Sequence, residues 1–481
     1  MISYPRALAL ATTFAIACSD GSPGPIARPL PVISGISVSL NPLNNLSTVV
    51  TLRVKYADSV RVKYLATGEA VEATPFMKVV GDSARIVTLG LRRTTTYEHV
   101  VEAIGGAGTQ LSAAVSATTG DLPARLRAVK INASGTAGRG YFLVDANNLG
   151  TPALVYAFDD KGEIRWYREF HEFAEDSPHS GETKQQANGN FTTFVGLTTG
   201  LEKHEGRFVE FKPSGEIVRT YQAGPGFYTD THEMLLTFTD TVLKAVHLFG
   251  YTHRPRNNTA VGGPANAEVA AHQIIRRLPD GKIDFLWDGW DHFTFEDWIE
   301  PPASLMTRPV TDFDHPNSLS IDPAGNYVVS WRHLGEISNI NFKTGAFVWR
   351  LGGRHNQFKY VDDPFNGFSA QHHATVLANG NVLLFDNGTT HSPVESRAVE
   401  YKLDLTVKTA TMVWQYRNTP ALISGTLGTA ERLKNGNTLV GFGAIARMTE
   451  VSPSGVPVWQ ATMDGAVSYF RASKLASLYK P

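Results

Sequence analysis

Cysteine is all but absent: Cys18 is the only one in 481 residues, which excludes an intramolecular disulfide framework. Charge of either sign is not in excess, with 44 basic against 45 acidic side chains. No long single-sign run forms a tail, so a nucleic-acid partner is not expected. The apolar run from Ala7 to Ala17 is too short to cross a bilayer. Lysine-rich helical stretches are rare. What remains is glycine (43 residues) with common aromatic and β-branched residues, the composition of an all-β protein with many turns. The length suffices for two or three domains and a sizeable core.

The position of Cys18 is informative. Arg6 and the apolar run have the form of an export signal, and Ala15-Ile16-Ala17-Cys18 resembles a bacterial lipoprotein cleavage box. Residues 1–18 are therefore expected to be a signal peptide and Cys18 the lipidation site, with 19–32 a tether. Plain signal cleavage after Ala17 is the simpler alternative. Either way the protein is expected to be exported, to the periplasm or the cell surface, and to touch the membrane only through an N-terminal lipid.

Residues 33–121 alternate apolar and polar in short runs, as in Arg85-Ile86-Val87-Thr88-Leu89. The stretch Leu91 to Ala103 resembles a fibronectin type III strand with its corner tyrosine, Tyr97, so a small fibronectin/Ig-like β-sandwich is expected. Residues 122–481 are repetitive. Six outer units of strand, turn and strand can be counted, and the turn glycines Gly325, Gly380 and Gly436 are 55 and 56 residues apart. That period is expected of a six-bladed β-propeller. The longer interval from Asp240 to Gly325 implies an insert in the third blade, rich in aromatics (Trp287, Trp290, Phe293, Phe295, Trp298).

Histidines recur at the heads of the inner strands: His232, His315, His372 and, with a weaker motif, His179. In a propeller the inner strands line one channel, so three histidines in register should face a common cavity. Arg332, at the end of the strand after His315, adds a planar fork of donors suited to an oxyanion such as sulfate or phosphate. An ion pair with Glu336 or Asp314 would account for Arg332 equally well. Neutral imidazoles also suit zinc or copper, against which the neighbouring arginine argues.

The segments His315-Pro-Asn317-Ser, Ser330-Trp-Arg332-His333, Gln371-His372, Phe385-Asp386-Asn387-Gly388 and Ser396 to Asp404 resemble the arylsulfotransferase family. The likeness runs from about Val129 to the C-terminus and is densest between Asp312 and Asp404. It implies an exported six-bladed propeller behind a β-sandwich. It also implies transfer of a sulfuryl group between phenols without a nucleotide donor and without a cofactor, in accord with the lack of a Gly-x-x-x-x-Gly-Lys-Ser/Thr loop. Aryl sulfates and phenols are then the partners. By motif His372 is the nucleophile that becomes sulfated, His315, Arg332 and His232 are its catalytic companions, and Asn317 binds substrate. His373 adjoins His372 and is an alternative nucleophile. The disulfide of some relatives is absent here. Trp287 and Trp290 are expected to form an aromatic wall for aryl substrates, unless they merely pack against the propeller edge.

Two other functions fit parts of the sequence. Lys161 to Trp166 and Thr344 to Trp349 resemble the tryptophan-docking repeats of quinone-cofactor dehydrogenase propellers, although the calcium-binding carboxylate cluster of those enzymes cannot be found. A non-catalytic, surface-anchored binding propeller is the other.

Overall fold

In the N-terminal region, strands with period-two burial form two antiparallel sheets around one core. Ser59–Leu65 and Thr96–Gly105 bury every second side chain, as a half-buried sheet requires. They pair with each other, and Val32–Asn41, Asn44–Lys55 and Ser83–Thr88 form the second sheet. Val50, Leu52, Val60, Val62 and Val101 fill the space between. The Tyr97 hydroxyl accepts from the Arg92 N–H at 3.0 Å, which pins the chain where it turns into its strand. The computed structural model describes residues 28–147, 149–173, 179–196, 206–259, 262–299, 310–465 and 467–479. Cys18 and the leader lie outside the described residues.

The other described residues build six sheets, antiparallel but for one added parallel strand in each of two. The second, His179–Gln185 through Ile217–Tyr221, and the fourth, Pro316–Ile321 through Phe347–Gly352, are plain four-stranded meanders. In the third, Tyr228–Thr239 is followed by the long strands Val242–Arg256 and Ala267–Arg277, and Val310–Asp312 adds in parallel to the latter. The third unit's extra length lies in this hairpin and in the chain after Ile283–Asp288. The fifth sheet starts with His372–Val376 and the sixth with Thr429–Arg432. The C-terminal Ala472–Leu475 joins Tyr141–Asp145 in the first sheet, while Lys130–Gly135 joins Pro457–Asp464 in the sixth. Both ends of the region are thus sewn into its terminal sheets.

These strands are covered on both faces. Leu154–Phe158 and Val382–Asp386 are buried throughout, which is why they read as continuous apolar runs. An apolar cluster fills each gap between consecutive sheets, and one more, around Phe142, Tyr156, Met448 and Trp459, joins the sixth sheet to the first. Outer-strand tryptophans reinforce three of the gaps by donating their indole N–H to a turn carbonyl of the next sheet. Trp166 reaches Pro213, Trp287 reaches Gly345, and Trp459 of the sixth sheet reaches Asp160 of the first.

The recurring turns share a conformation. Gly189, Gly325, Gly380 and Gly436 close the first hairpin of their sheets at φ of 85 to 88°, where a side chain is strained, and Asp240 closes the third at 54°. Four inner strands are also interrupted by bulges, between Gly181 and Lys184, Thr229 and Met234, Pro316 and Ser318, and His372 and Thr375. The irregularity puts Glu182, His315 and His373 at φ of 35, 46 and 49°. A bulge re-aims side chains that strict alternation would send to opposite faces. Each of these inner strands contacts the next.

Candidate active site

His232 and His372 lie on inner strands, His315 just before the inner strand between them, and Arg332 just after the second strand of the fourth sheet. The His232 and His315 rings meet edge to face at 4.6 Å between centroids, and His315 lies equally close to the ring of His333. The Arg332 N–H donates to the His315 carbonyl at 2.9 Å, which ties the two segments together.

Each histidine has its own anchor. Asp230, fully buried, accepts from the His232 N–H at 2.8 Å and faces His232 Nδ1 at 2.9 Å. Burial alone pushes the Asp230 carboxyl up, but the His232 and His272 rings beside it hold it well below the carboxylate range. Asp312 contacts His315 Nδ1, and the Asp312 carbonyl accepts from His333 Nδ1 at 2.9 Å. Burial, then the charges of His232, Arg332 and His272, drive the His315 pKa well down, so its ring is neutral near pH 7.

His372 is held at both nitrogens. Asn387 donates its amide to the carbonyls of Ser424 (2.5 Å) and Leu427 (2.9 Å), so its Oδ1 faces His372 Nδ1 at 2.7 Å as an acceptor. The Leu427 N–H donates to Nε2 at 3.2 Å. Nδ1 therefore carries the proton and Nε2 the lone pair. Burial first and Arg332 second lower the His372 pKa well below its ordinary value, which keeps this ring neutral too.

Arg332 is not an ion-pair partner of Glu336 or Asp314. Glu336 is taken by Arg350 through two bonds of 2.7 and 2.8 Å, and Asp314 by His272 at 2.6 Å. The Arg332 guanidinium donates only to the Gly425 carbonyl, at 3.3 Å, and its buried Nε has no partner among the described residues. Burial lowers the Arg332 pKa and the nearby Asp312 opposes this, and a partly buried guanidinium with an unpartnered donor beside two neutral imidazoles can receive an oxyanion.

The other expected residues lie elsewhere. His373 adjoins His372 in sequence, but its Nδ1 accepts from the Ala430 N–H (3.1 Å) and its ring senses Arg471 and Glu233. It lines a separate cavity of about 640 Å³ with Glu182, Lys184 and Arg471. Asn317 is wholly buried and donates to the Gln371 carbonyl at 2.6 Å, bracing the strand that carries His372. His179 bonds the Asn147 carbonyl at 3.0 Å.

Trp287 and Trp290 depart from the expected aromatic wall. Trp287 is 2% exposed and docks the third sheet on the fourth among Trp331, Phe293 and Phe347. Trp290, 9% exposed, donates to Thr252 Oγ1 and sits under Arg254 and Arg256. The cause is burial: an indole in an inter-sheet core has no face left for a substrate ring. Trp287→Phe is expected to cost about 1 kcal/mol for the lost N–H bond, read by chemical denaturation, and to leave KM for aromatic substrates unchanged.

The motif around Asp386 is scaffolding. Asp386 receives the N–H groups of Ser369 and Gly388, His391 and the fully buried Arg397, whose other arm grips Asp363. Ser396 Oγ reaches the Asn387 carbonyl at 2.8 Å. This network fixes the residue that sets the His372 tautomer. Sequence reasoning left Asn387 without a role, although it stands inside a quoted motif. It missed His272 and Phe470 altogether. His272 lies on the third strand of its sheet, outside the inner-strand repeat, and Phe470, 5.4 Å from the His232 ring, comes from the C-terminal segment.

Two sets, Asp312 with His315 and His333, and His272 with Asp312 and Asp314, bring ligand-type atoms within 4.8 Å of one another. Protons already occupy the first set at His333 Nδ1 and between Asp312 and His315. In the second, carboxylates flank both nitrogens of His272. Arg332 and His272 also place positive charge against a dication here.

Comparison with known sequences bears on this group directly. The sequence model of the family described as Arylsulfotransferase (ASST) matches residues 127–469. Arylsulfate sulfotransferase AssT of Escherichia coli O6:H1 is 22% identical over 353 residues, covering 62% of this chain and 58% of that protein. Its namesake from Lelliottia amnigena is 21% identical over 360 residues with the same coverage, so the chain spans 58% of the length of each of these relatives. Among solved structures, a protein of unknown function from Bacteroides caccae overlaps 71% of this chain and all of its own at 14% identity and a TM-score of 0.42.

Proposed function

We propose, on the premise that this chain belongs to the arylsulfotransferase family, that it moves a sulfuryl group from an aryl sulfate to a phenol through a sulfohistidine at His372. The observation that carries this reading is Arg332: a desolvated guanidinium with free donors, beside an imidazole whose Nε2 lone pair is set by Asn387.

Sulfuryl transfer, like phosphoryl transfer, has a loose transition state, so positioning and charge stabilisation dominate. The donor's sulfuryl oxygens bind Arg332, and sulfur replaces the long Leu427 N–H contact at His372 Nε2. The lone pair of Nε2 forms the N–S bond as the S–O bond to the aryl group breaks, and the phenolate takes a proton from His232. His372 then holds the sulfuryl group on Nε2 and its proton on Nδ1, against Asn387. In the second half an incoming phenol gives its proton to His232, its oxygen attacks sulfur, and the N–S electrons return to Nε2. Asp230 orients His232 through its Nδ1, whereas neutral His315 offers Nε2 as an acceptor that orients the phenol. Phe470, against His232, suits an aryl ring.

The same premise extends to architecture and location. The six sheets are read as propeller blades over residues 122–481, behind a β-sandwich over 33–121. The contact of the sixth sheet with the first supports that reading. No helix among the described residues is long and apolar enough to cross a membrane. Export and a lipid on Cys18 rest on the leader sequence alone.

Incubation with a chromogenic aryl sulfate, with and without added phenol, tests the activity. Acceptor-dependent release with ping-pong kinetics is expected. Arg332→Ala should lower kcat by about 10²–10³, the cost of removing one preorganised donor to a developing anion. Release that ignores the acceptor, or an Arg332→Ala variant with full activity, would sink the proposal.

A further inference from the structure

The His232–Asp230 pair continues into the protein interior. Asp230 Oδ2 lies 3.3 Å from His272 Nε2, and His272 Nδ1 lies 2.6 Å from Asp314 Oδ1. The His272 backbone N–H also reaches Asp314, at 3.0 Å, and Asp314 accepts from the His315 N–H at 3.0 Å. All three of Asp230, His272 and Asp314 are 0–1% exposed. A neutral imidazole has a proton on one nitrogen only, and its other lone pair would then face a carboxylate. Asp314 bonded at Nδ1 and Asp230 at ion-pair distance from Nε2 together favour the imidazolium form. Burial alone would pull a proton off His272, but Asp314 and Asp230 hold its pKa well above the ordinary histidine value.

We infer that His272 is a positioning residue, a fixed cation wedged between Asp314 and Asp230 that neutralises Asp230 and so tunes the proton exchange between His232 and the phenol. This rests on the acid–base role proposed for His232. Within the Asp230–His272–Asp314 set the charge count supports it: two carboxylates and one imidazolium carry a net charge of −1, which one proton on His232 cancels, while the neighbouring Asp312 carboxylate is engaged by His315 and the charge of Arg332. Without His272, the buried Asp230 carboxylate beside His232, and Asp314 behind it, would stand uncompensated. The other charged and titratable groups around His232 are His315 from the preceding segment of the fourth sheet, Arg332 from that sheet's second strand end, and His372 from the fifth. None of them touches His272 in place of Asp230 and Asp314.

The test is the pH profile of kcat/KM for the wild type, His272→Gln and His232→Gln. His272→Gln keeps a donor but loses the charge. In kcat/KM for the phenol, the half-reaction that needs an unprotonated His232, the variant's acidic limb is expected to move up by roughly one pH unit, with plateau activity within about tenfold of wild type. An unmoved limb overturns the inference, as does a plateau as low as that of His232→Gln. The reading of His232 fails separately, if His232→Gln retains full activity and the wild-type profile. Should His272→Gln not fold, NMR of histidine-labelled wild-type protein decides: one ring must stay protonated from pH 6 to 9, and the absence of such a ring overturns the inference.

Discussion

His372→Ala is expected to lower sulfuryl transfer by on the order of 10⁴–10⁶, while His373→Ala stays within about tenfold of wild type. The two histidines are neighbours in sequence, and motif matching alone leaves either as the nucleophile. The bulge between His372 and Thr375 separates them. One ring turns to Asn387 and Arg332, the other to Ala430 and the side holding Arg471 and Glu233. Both tautomers are set by neighbours, but only the first ring has beside it an arginine with a donor unpartnered among the described residues for the sulfuryl oxygens. Mass analysis of wild-type protein exposed to donor alone should find an added sulfuryl group on the peptide containing His372. The converse pattern, with His373→Ala inactive and His372→Ala active, would move the chemistry to the other cavity and refute the assignment.

Arg397→Ala is expected to destabilise the protein by about 3–5 kcal/mol, the cost of leaving a buried charge without its partner. Arg397, Asp363 and Asp386 are all fully buried, and Tyr401 adds a bond of 2.5 Å to Asp363. Burial raises the Asp363 carboxyl, yet the Arg397 and Tyr401 bonds bring it below its ordinary range. In the wild type this contribution is present above the unfolded carboxylate pKa and is lost as pH falls through the lower folded value. In the variant the unpaired carboxyls are raised instead, so they become protonated at mildly acidic pH and the deficit relative to wild type shrinks toward about pH 4. Denaturant midpoints at pH 7.5 and 4.5 measure both. An equal loss at the two values would mean that lost packing, not the charge, carries the effect.

The repeat itself was legible in the sequence. Turn glycines at φ near 86° recur 55 and 56 residues apart, and His315 and His372 precede theirs by ten and eight residues. The family was legible too, because its motifs are local: His315 to Ser318, Ser330 to His333 and Gln371-His372 each occupy one strand end. Arg332 could not be settled that way. Its freedom follows from Arg350 occupying Glu336 and His272 occupying Asp314, and neither pairing has a sequence signature. Trp287 and Trp290 were misleading for a similar reason, since an aromatic-rich stretch looks alike whether it lines a cleft or fills a gap between sheets.

By itself, then, the sequence determined the all-β class, the repeat, the family and the inventory of chemical groups, because short-range patterns carry all four. Tertiary structure decided which of those groups act together. Asp230 and His272 come from separate strands and Asp314 from the bend before Pro316–Ile321, Asn387 and Leu427 meet His372 across a loop, and Phe470 arrives from the C-terminal segment. Protonation state, tautomer and free valence depend on such partners, and strand bulges choose the partners by turning side chains that the alternation of a regular strand would have pointed away.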